Sequence, residues 1–505
     1  MIRISSIFDR VRRHRPDRSL DPVLGAGPVP GRVVRGTAAP IANPLGADAD
    51  DSTGSGPPPM PGSPAGSAGT ASSAIAADAA HAAPATTPKH PAAGEGPAPA
   101  TPEQMRRELA RQLVVRIGAA LHATGTPSDR LETSLEQASI AAGTPGTFFV
   151  TPTAIMASFH GPDSSSTLVV RTEAGDVDLG RMTSLLDLVD ELVPDQTGLE
   201  RAKDRLDALL DAPPAYGPLI TTLAFAATSA TVAIFLGGSA VSGLIGAAGA
   251  TGVAGGLAIA GRHPRFARVF LVLAASTVSF GSGVLAPMFG LDAGLLTLAT
   301  LIILLPGLSL TLAMRELAAR HLVSGGARLM GALIDFLSIA FGIALGDRLA
   351  GQLSAVLPSV TTGWPSLGPG WLVVGLLVAP CSFSILFRAP MRAVPAITLT
   401  SITGFLTARG AANFDPILAP MIAAVAAGII GNLFSRLHRM PAAAFLVPGI
   451  LLLVPGSLGV RSIGSLMAAD ALGGLATAAN TILIGTAIAA GLLVANAAVP
   501  PGRGR

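Results

Sequence analysis

The chain has 505 residues, half of them hydrophobic, with 34 Lys and Arg against 31 Asp and Glu, a formal charge of +3 and one cysteine. A lone Cys381 excludes an intrachain disulfide framework and any cysteine metal site. The arginines are spread along the chain rather than gathered in one patch, which gives no support to nucleic-acid binding.

The first twenty residues, MIRISSIFDRVRRHRPDRSL, lack the apolar core of a secretory signal, so this end is expected to stay in the cytoplasm. Its arginines suit either anionic headgroups or a solvated tail. Ala, Pro, Gly, Ser and Thr then dominate to about Ala100, too poor in large apolar residues to build a core. Residues 1–100 therefore read as a disordered basic tail.

Residues 101–216 read as a small soluble α/β domain on the cytoplasmic side. Leu109, Leu113, Arg116, Ile117 and Leu121 fall on one helical face. A second helix is expected to open at Thr126-Pro127-Ser128-Asp129, with Thr126 as cap and Asp129 closing a capping box, and to stop at Gly143. TFFVTPTAIMASFHG and STLVVRTE have the β-branched and aromatic content of two or three antiparallel strands. Two helices follow, near Met182 to Leu192 and Leu199 to Leu210. His122, Asp129, Ser158 and His160 are the residue types of a hydrolase, but no nucleophile elbow, metal spacing or phosphate loop surrounds them.

From Pro218 to Val499 the chain alternates apolar stretches with short polar turns, which predicts about ten transmembrane helices. They divide into a first membrane half over 217–349, a second over 350–499 and a short tail at 500–505. With the first span starting inside, the cytoplasmic connections carry Arg262, Arg265, Arg268, Arg315, Arg320, Arg328, Arg388, Arg392, Arg436, Arg439, Arg503 and Arg505. The opposite connections carry only Arg348, Arg409 and Arg461. This bias orients both termini toward the cytoplasm.

Two stretches inside this region resemble each other. In ILLPGLSLTLAMRELAARHLVSGGARLMGALI and LLLVPGSLGVRSIGSLMAADALGGLATAANTI, Pro-Gly ends an apolar run and Gly-Gly opens the next. An odd number of spans per half sets the halves in opposite orientations, an inverted-topology repeat of the kind found in secondary transporters. Proline removes a backbone donor and glycine lets the chain turn, so spans four and nine should break at Pro306-Gly307 and Pro455-Gly456, with a further break at Pro448-Gly449. The freed backbone groups could serve a polar solute, and a helix starting after the break would favour a carboxylate. Each Pro-Gly could equally just end a span at the surface. Asp335 is the deepest acid within a span, a candidate for a substrate ammonium or a coupling proton, or else a shallow acid paired with Arg328. Asn480 in span ten could bond across helices or to a solute. Arg315 and Glu316, in a short amphipathic stretch over 313–325, are candidates for a gate or an interfacial anchor.

TGTPSDRLETSLEQASIAAG, FFVTPTAIMASF, LLPGLSLTLAMRELAARHLVSGGARL and FLVPGILLLVPGSLGVRSIGSLMAADALGG together resemble the threonine/serine exporter family of bacterial inner-membrane proteins, over roughly Arg106 to Ala498. The resemblance implies a polytopic α-helical protein of the plasma membrane, with a cytoplasmic α/β domain and ten spans. It also implies export of threonine and serine driven by the proton motive force. Some members are split into two chains associated with dicarboxylate export, which keeps a succinate-like substrate open, as does a membrane-anchored hydrolase built on the α/β domain. The partners implied are the lipid bilayer, a small amino-acid substrate and the proton, with a homo-oligomer left open. No metal or other cofactor is expected.

Overall fold

The computed structural model describes residues 101–160, 165–354, 360, 363–416, 418–453 and 471–502. Residues 102–211 form two helices, a three-stranded meander and two more helices. These are α1 (Pro102–Ala123), α2 (Ser128–Ala141), β1 (Gly146–Thr151), β2 (Ala154–His160), β3 (Ser165–Arg171), α3 (Leu179–Asp190) and α4 (Gln196–Asp211). Thr101 and Gln104 close a capping box on α1, with Pro102 in its first turn. Leu113, Ile117 and Leu121 are fully sequestered against Leu131 and Leu135 of α2, each contributing about 1.5–3 kcal/mol. Gly118 admits this contact, since a Cβ there would lie 2.6 Å from Leu135 Cδ2. The sheet is antiparallel in the order β1-β2-β3, and its inner face supplies Phe148, Val150, Ile155, Ala157 and Phe159 to the same core. Ser158 and His160 point the other way, with the Ser158 hydroxyl 3.3 Å from Thr167 Oγ1.

One expectation fails here. Thr126 does not cap α2; Pro127 holds the N-cap position and no side chain of its own segment bonds the first turn. Asp129 closes no capping box but turns to an arginine of the membrane region, and Gly143, at φ +70°, ends the helix's exit turn.

The apolar region contains α5 (Pro218–Phe235), α6 (Ala240–Arg262), α7 (Pro264–Phe289), α8 (Ala293–Leu301), α9 (Gly307–Ala318), α10 (Leu322–Ser354), α11 (Pro369–Leu386), α12 (Val394–Ala411), α13 (Ala419–His438), α14 (Ala443–Gly449) and α15 (Ala471–Ala498). Among the described residues seven of these helices are long and apolar enough to cross a membrane, and eight if the bent pair α8 and α9 counts as one span. Large apolar side chains such as Leu244, Phe341, Leu377 and Ile482 face outward, which suits lipid and not water. The chain is thus a multi-pass membrane protein. Two of the ten expected segments are not among these eight. Helix α12 carries Thr398, Thr400, Thr403, Thr407 and Arg409 and is too polar, while α14 with its following 3-10 turn is too short.

Packing in the two halves recurs at a fixed spacing. A Cβ on Gly342 of α10 would lie 2.6 Å from Val272 O, 2.7 Å from Ala275 Cβ and 3.2 Å from Ser276 N of α7. A Cβ on Gly491 of α15 would lie 2.5 Å from Met421 O, 2.8 Å from Ala424 Cβ and 3.2 Å from Val425 N of α13. Every residue in the second set stands 149 positions after its counterpart. The same offset relates the 3-10 turns Ile302–Leu304 and Leu451–Leu453, the left-handed residues Gly290 and Arg439 that end α7 and α13, and the fully buried Ile339 and Ile488. Glycine is needed at 342 and 491 because the facing backbone lies where a side chain would stand.

Candidate functional site

The fourth apolar segment breaks near its middle. After α8 and one 3-10 turn, Leu305 is extended, Pro306 supplies no N–H, and α9 restarts at Gly307 with a bend of 55°. Pro306 and Gly307 are both buried, and Leu310 N–H donates to Pro306 O at 3.0 Å to begin the new helix. Phe336 and Ile339 of α10 pack with Leu301, Leu305 and Leu310 around this break, and Asp335, only 7% exposed, directly precedes Phe336. Arg328, the other partner considered for Asp335, is committed to Glu316.

In the second half, Pro448 and Gly449 are buried within α14, and a Cβ on Gly449 would sit 2.7 Å from Thr400 Cγ2 of α12. Leu308 and Leu312, just past the first break, belong to one apolar cluster with Ala443, Ala444 and Phe445 of α14. Pro455 and Gly456 lie outside the described residues. Asn480 sits on an exposed face of α15, away from this cluster.

Three groups escaped the sequence reading. The hydroxyls of Thr228 and Ser229 on α5 and of Ser401 on α12 are buried with no hydrogen-bond partner among the described residues. Ser401 neighbours Gly449, and Ser229 Oγ lies 2.9 Å from where a Cβ on Gly246 would be. Hydroxyls in apolar helices ordinarily bond the carbonyl four residues back, as Thr231 and Thr300 do here, and nothing in the sequence separates the two behaviours.

The predicted gate residues Arg315 and Glu316 do not belong to a separate amphipathic helix. They end α9, and they meet the turn between α1 and α2. Arg315 donates to both carboxylate oxygens of Asp129 at 2.7 and 3.0 Å. Glu316 is fully buried and accepts from Arg328 Nε and Nη2, both at 3.1 Å, and from Ser128 N–H at 3.2 Å. The first turn of α2 is thus capped by a carboxylate from the membrane region, which satisfies an orphan donor of that helix. His321 Nδ1 lies 3.7 Å from Glu132, and Ser324 Oγ donates to Val150 O at 3.1 Å.

The same unit also grips the second half. Asp178 accepts from Arg388 Nη1 at 2.8 Å, Leu179 and Gly180 N–H donate to the carbonyls of Phe387 and Arg388 at 3.0 Å, and Tyr216 donates to Ala389 O at 2.8 Å. Residues 102–211 therefore bridge the connection between α9 and α10 and that between α11 and α12. Burial pushes the Asp129 carboxyl up, but the adjacent Arg315 outweighs it and holds Asp129 below its ordinary value. Burial and the like charge of Arg315 bring Arg130 down to about 10. His122, 2% exposed beneath the same junction, is lowered to about 4 by burial first and by Arg328 second.

Asp292 accepts from Leu295 N–H and caps α8, and Asp415, ahead of α13, accepts from Leu418 N–H. Among the described residues no cluster of three or more His, Cys, Asp or Glu is placed to hold a metal.

Sequence profiles of the threonine/serine exporter family match residues 112–350 and 372–498. Pheromone-regulated membrane protein 10 of Kluyveromyces lactis is 27% identical over 368 residues, covering 71% of this chain and 38% of that protein. Its namesakes in Yarrowia lipolytica and Saccharomyces cerevisiae are 28% and 27% identical, over 72% and 70% of this chain and 31% and 47% of theirs. The chain spans less than half the length of these relatives, and no solved structure matches it. The two profile matches run through the broken segment, the bridging unit and the second half, and by them the chain belongs to the threonine/serine exporter family.

Proposed function

We propose that this protein is a proton-coupled secondary transporter that exports threonine and serine across the plasma membrane, with both termini in the cytoplasm. The observation that carries this is the break at Pro306-Gly307 halfway along an apolar segment; the 3-10 turn that leads into it, Ile302–Leu304, has a counterpart 149 residues on at Leu451–Leu453. Half-helix termini at mid-membrane offer backbone polarity to a small zwitterion where no side chain is needed. The 149-residue recurrence of contacts supports two like units; five segments per unit would set them in opposite senses, so that they could rock about the breaks. Asp335, beside the first break, is assigned the coupling proton. The unit over 102–211, bound to one connection from each half, is assigned to the cytoplasmic mouth, where its release or tilt would accompany opening.

The test is efflux from proteoliposomes loaded with labelled threonine. The expected result is efflux accelerated by an acid-outside gradient, inhibited by serine and indifferent to succinate. Flux of succinate in place of the amino acids, or no amino-acid flux at all, overturns the assignment. Asp335→Asn is expected to abolish the gradient-driven component, and full retention of that component removes Asp335 from the coupling role.

A further inference from the structure

We infer that the crevice between α6 and α7 is a retention site for one anionic phospholipid, with an acyl chain in the crevice and the phosphate on Arg265 and Arg268. The crevice encloses about 460 Å³ and is lined by Gly252 and Gly256 of α6, Phe266 and Gly281 of α7, and Leu296 and Thr300 of α8 as its floor. That volume falls within the roughly 300–1,000 Å³ typical of small-ligand pockets. Its lining is almost wholly apolar, so it suits a hydrocarbon chain and not an amino acid.

Two observations separate it from an ordinary helix seam. The first comes from the repeat. At the positions 149 residues on, Gly252 is replaced by Ser401, which is fully buried, Gly256 by Phe405 and Gly281 by Ile430. The equivalent positions of the second half thus carry side chains, and in the first half glycines leave the crevice open. A Cβ on Gly252 or Gly281 would meet nothing within 4 Å. The second is charge. Phe266 lines the end of the crevice that lies at the turn between α6 and α7, and Arg265 and Arg268 beside it are exposed. The counterparts of these residues, Phe414 and Ile417, carry no charge. An apolar slot opening beneath two exposed arginines matches a lipid with one negative phosphate. A neutral tail alone would not need the arginines, and a partner helix would leave them without a counter-charge.

The experiment is native mass spectrometry of the full chain, delipidated and then exposed to phosphatidylglycerol or phosphatidylcholine in mixed micelles. The wild type is expected to retain one phosphatidylglycerol in preference to phosphatidylcholine. Gly252→Leu and Gly281→Leu place side chains in open space, so the fold should survive, and each is expected to lose the retained lipid of either kind. Arg265→Ala with Arg268→Ala is expected to keep a lipid but lose preference for the anionic one on the order of thirtyfold, as for two basic residues at an anionic surface. Equal retention of both lipids by the wild type overturns the inference, as does unchanged retention in both leucine variants. A shift from dimer to monomer in those variants with the lipid count unaltered would assign the crevice to a second copy and overturn it as well.

Discussion

Replacing Glu316 by alanine strands two groups at once, the largely covered Arg328 guanidinium and the buried Ser128 N–H. Breaking a buried pair in this way costs about 3–5 kcal/mol. We expect Glu316→Ala to expose the α1–α2 turn to limited proteolysis, whereas Arg107→Ala, at a half-exposed pair, should leave the digestion pattern unchanged. His122 adds a pH dependence whose sign is fixed by its depressed value. The unfolded imidazole takes a proton near 6.5 and the buried one only near 4, so stability is complete above 6.5 and falls as pH drops toward 4. The full effect is about 3 kcal/mol. Protection factors over Leu113 to Thr124, which remove the intrinsic pH dependence of amide exchange, should fall between pH 7 and 5, and His122→Leu should flatten that change; an unaltered profile in the variant would refute the assignment. At this scale the sequence is least legible. Asp129 reads as a capping residue because Thr-Pro-Ser-Asp is a strong local signal, yet its partner Arg315 lies 186 residues away in sequence and leaves no local trace. The buried hydroxyls of Thr228, Ser229 and Ser401 were invisible for a like reason: their missing partners are a property of the packing.

Among elements, the recurring glycines make a paired prediction. Gly342→Leu and Gly491→Leu each drive a side chain into facing backbone, at Val272 O and Met421 O, and both should sharply reduce the yield of folded protein. Gly252→Leu, on a glycine with open space, should not. Loss at only one of the two paired sites would show that the halves do not pack alike. Element positions read well where a glycine stop and apolar periodicity agree, as at Gly143 after α2, whereas the Thr101 cap of α1 is a feature of the structure alone. The break at Pro306-Gly307 was legible because proline and glycine act on the chain they occupy. The length of α10 was not. Its 33 residues span about 50 Å, well beyond a hydrocarbon core of about 30 Å, and its first turns reach β1 through Ser324. Of the ten expected segments, α12 and α14 do not by themselves have the length and apolarity of a span, the one for its threonines and Arg409, the other for its seven residues.

For the whole molecule, two apolar units of like packing are joined at one end by a compact helix and strand unit that holds a connection from each. Separating that unit from either half should alter flux. Charge reversal at Asp178 with Arg388 makes this specific: Asp178→Arg alone should change the efflux rate severalfold, and adding Arg388→Asp should restore it. If the single and double variants behave alike, the contact is packing without a gating consequence. The relation between the halves is tested most directly at two equivalent helix ends, Phe289 and His438, which stand 149 residues apart beside the left-handed caps Gly290 and Arg439. A cysteine is placed at each in turn, in a chain whose Cys381 has been changed to serine, and labelled in intact cells with a maleimide that cannot cross the membrane. Opposed units predict labelling of position 289 from outside and protection of 438 until the membrane is opened. Labelling of both positions from one side would contradict the account.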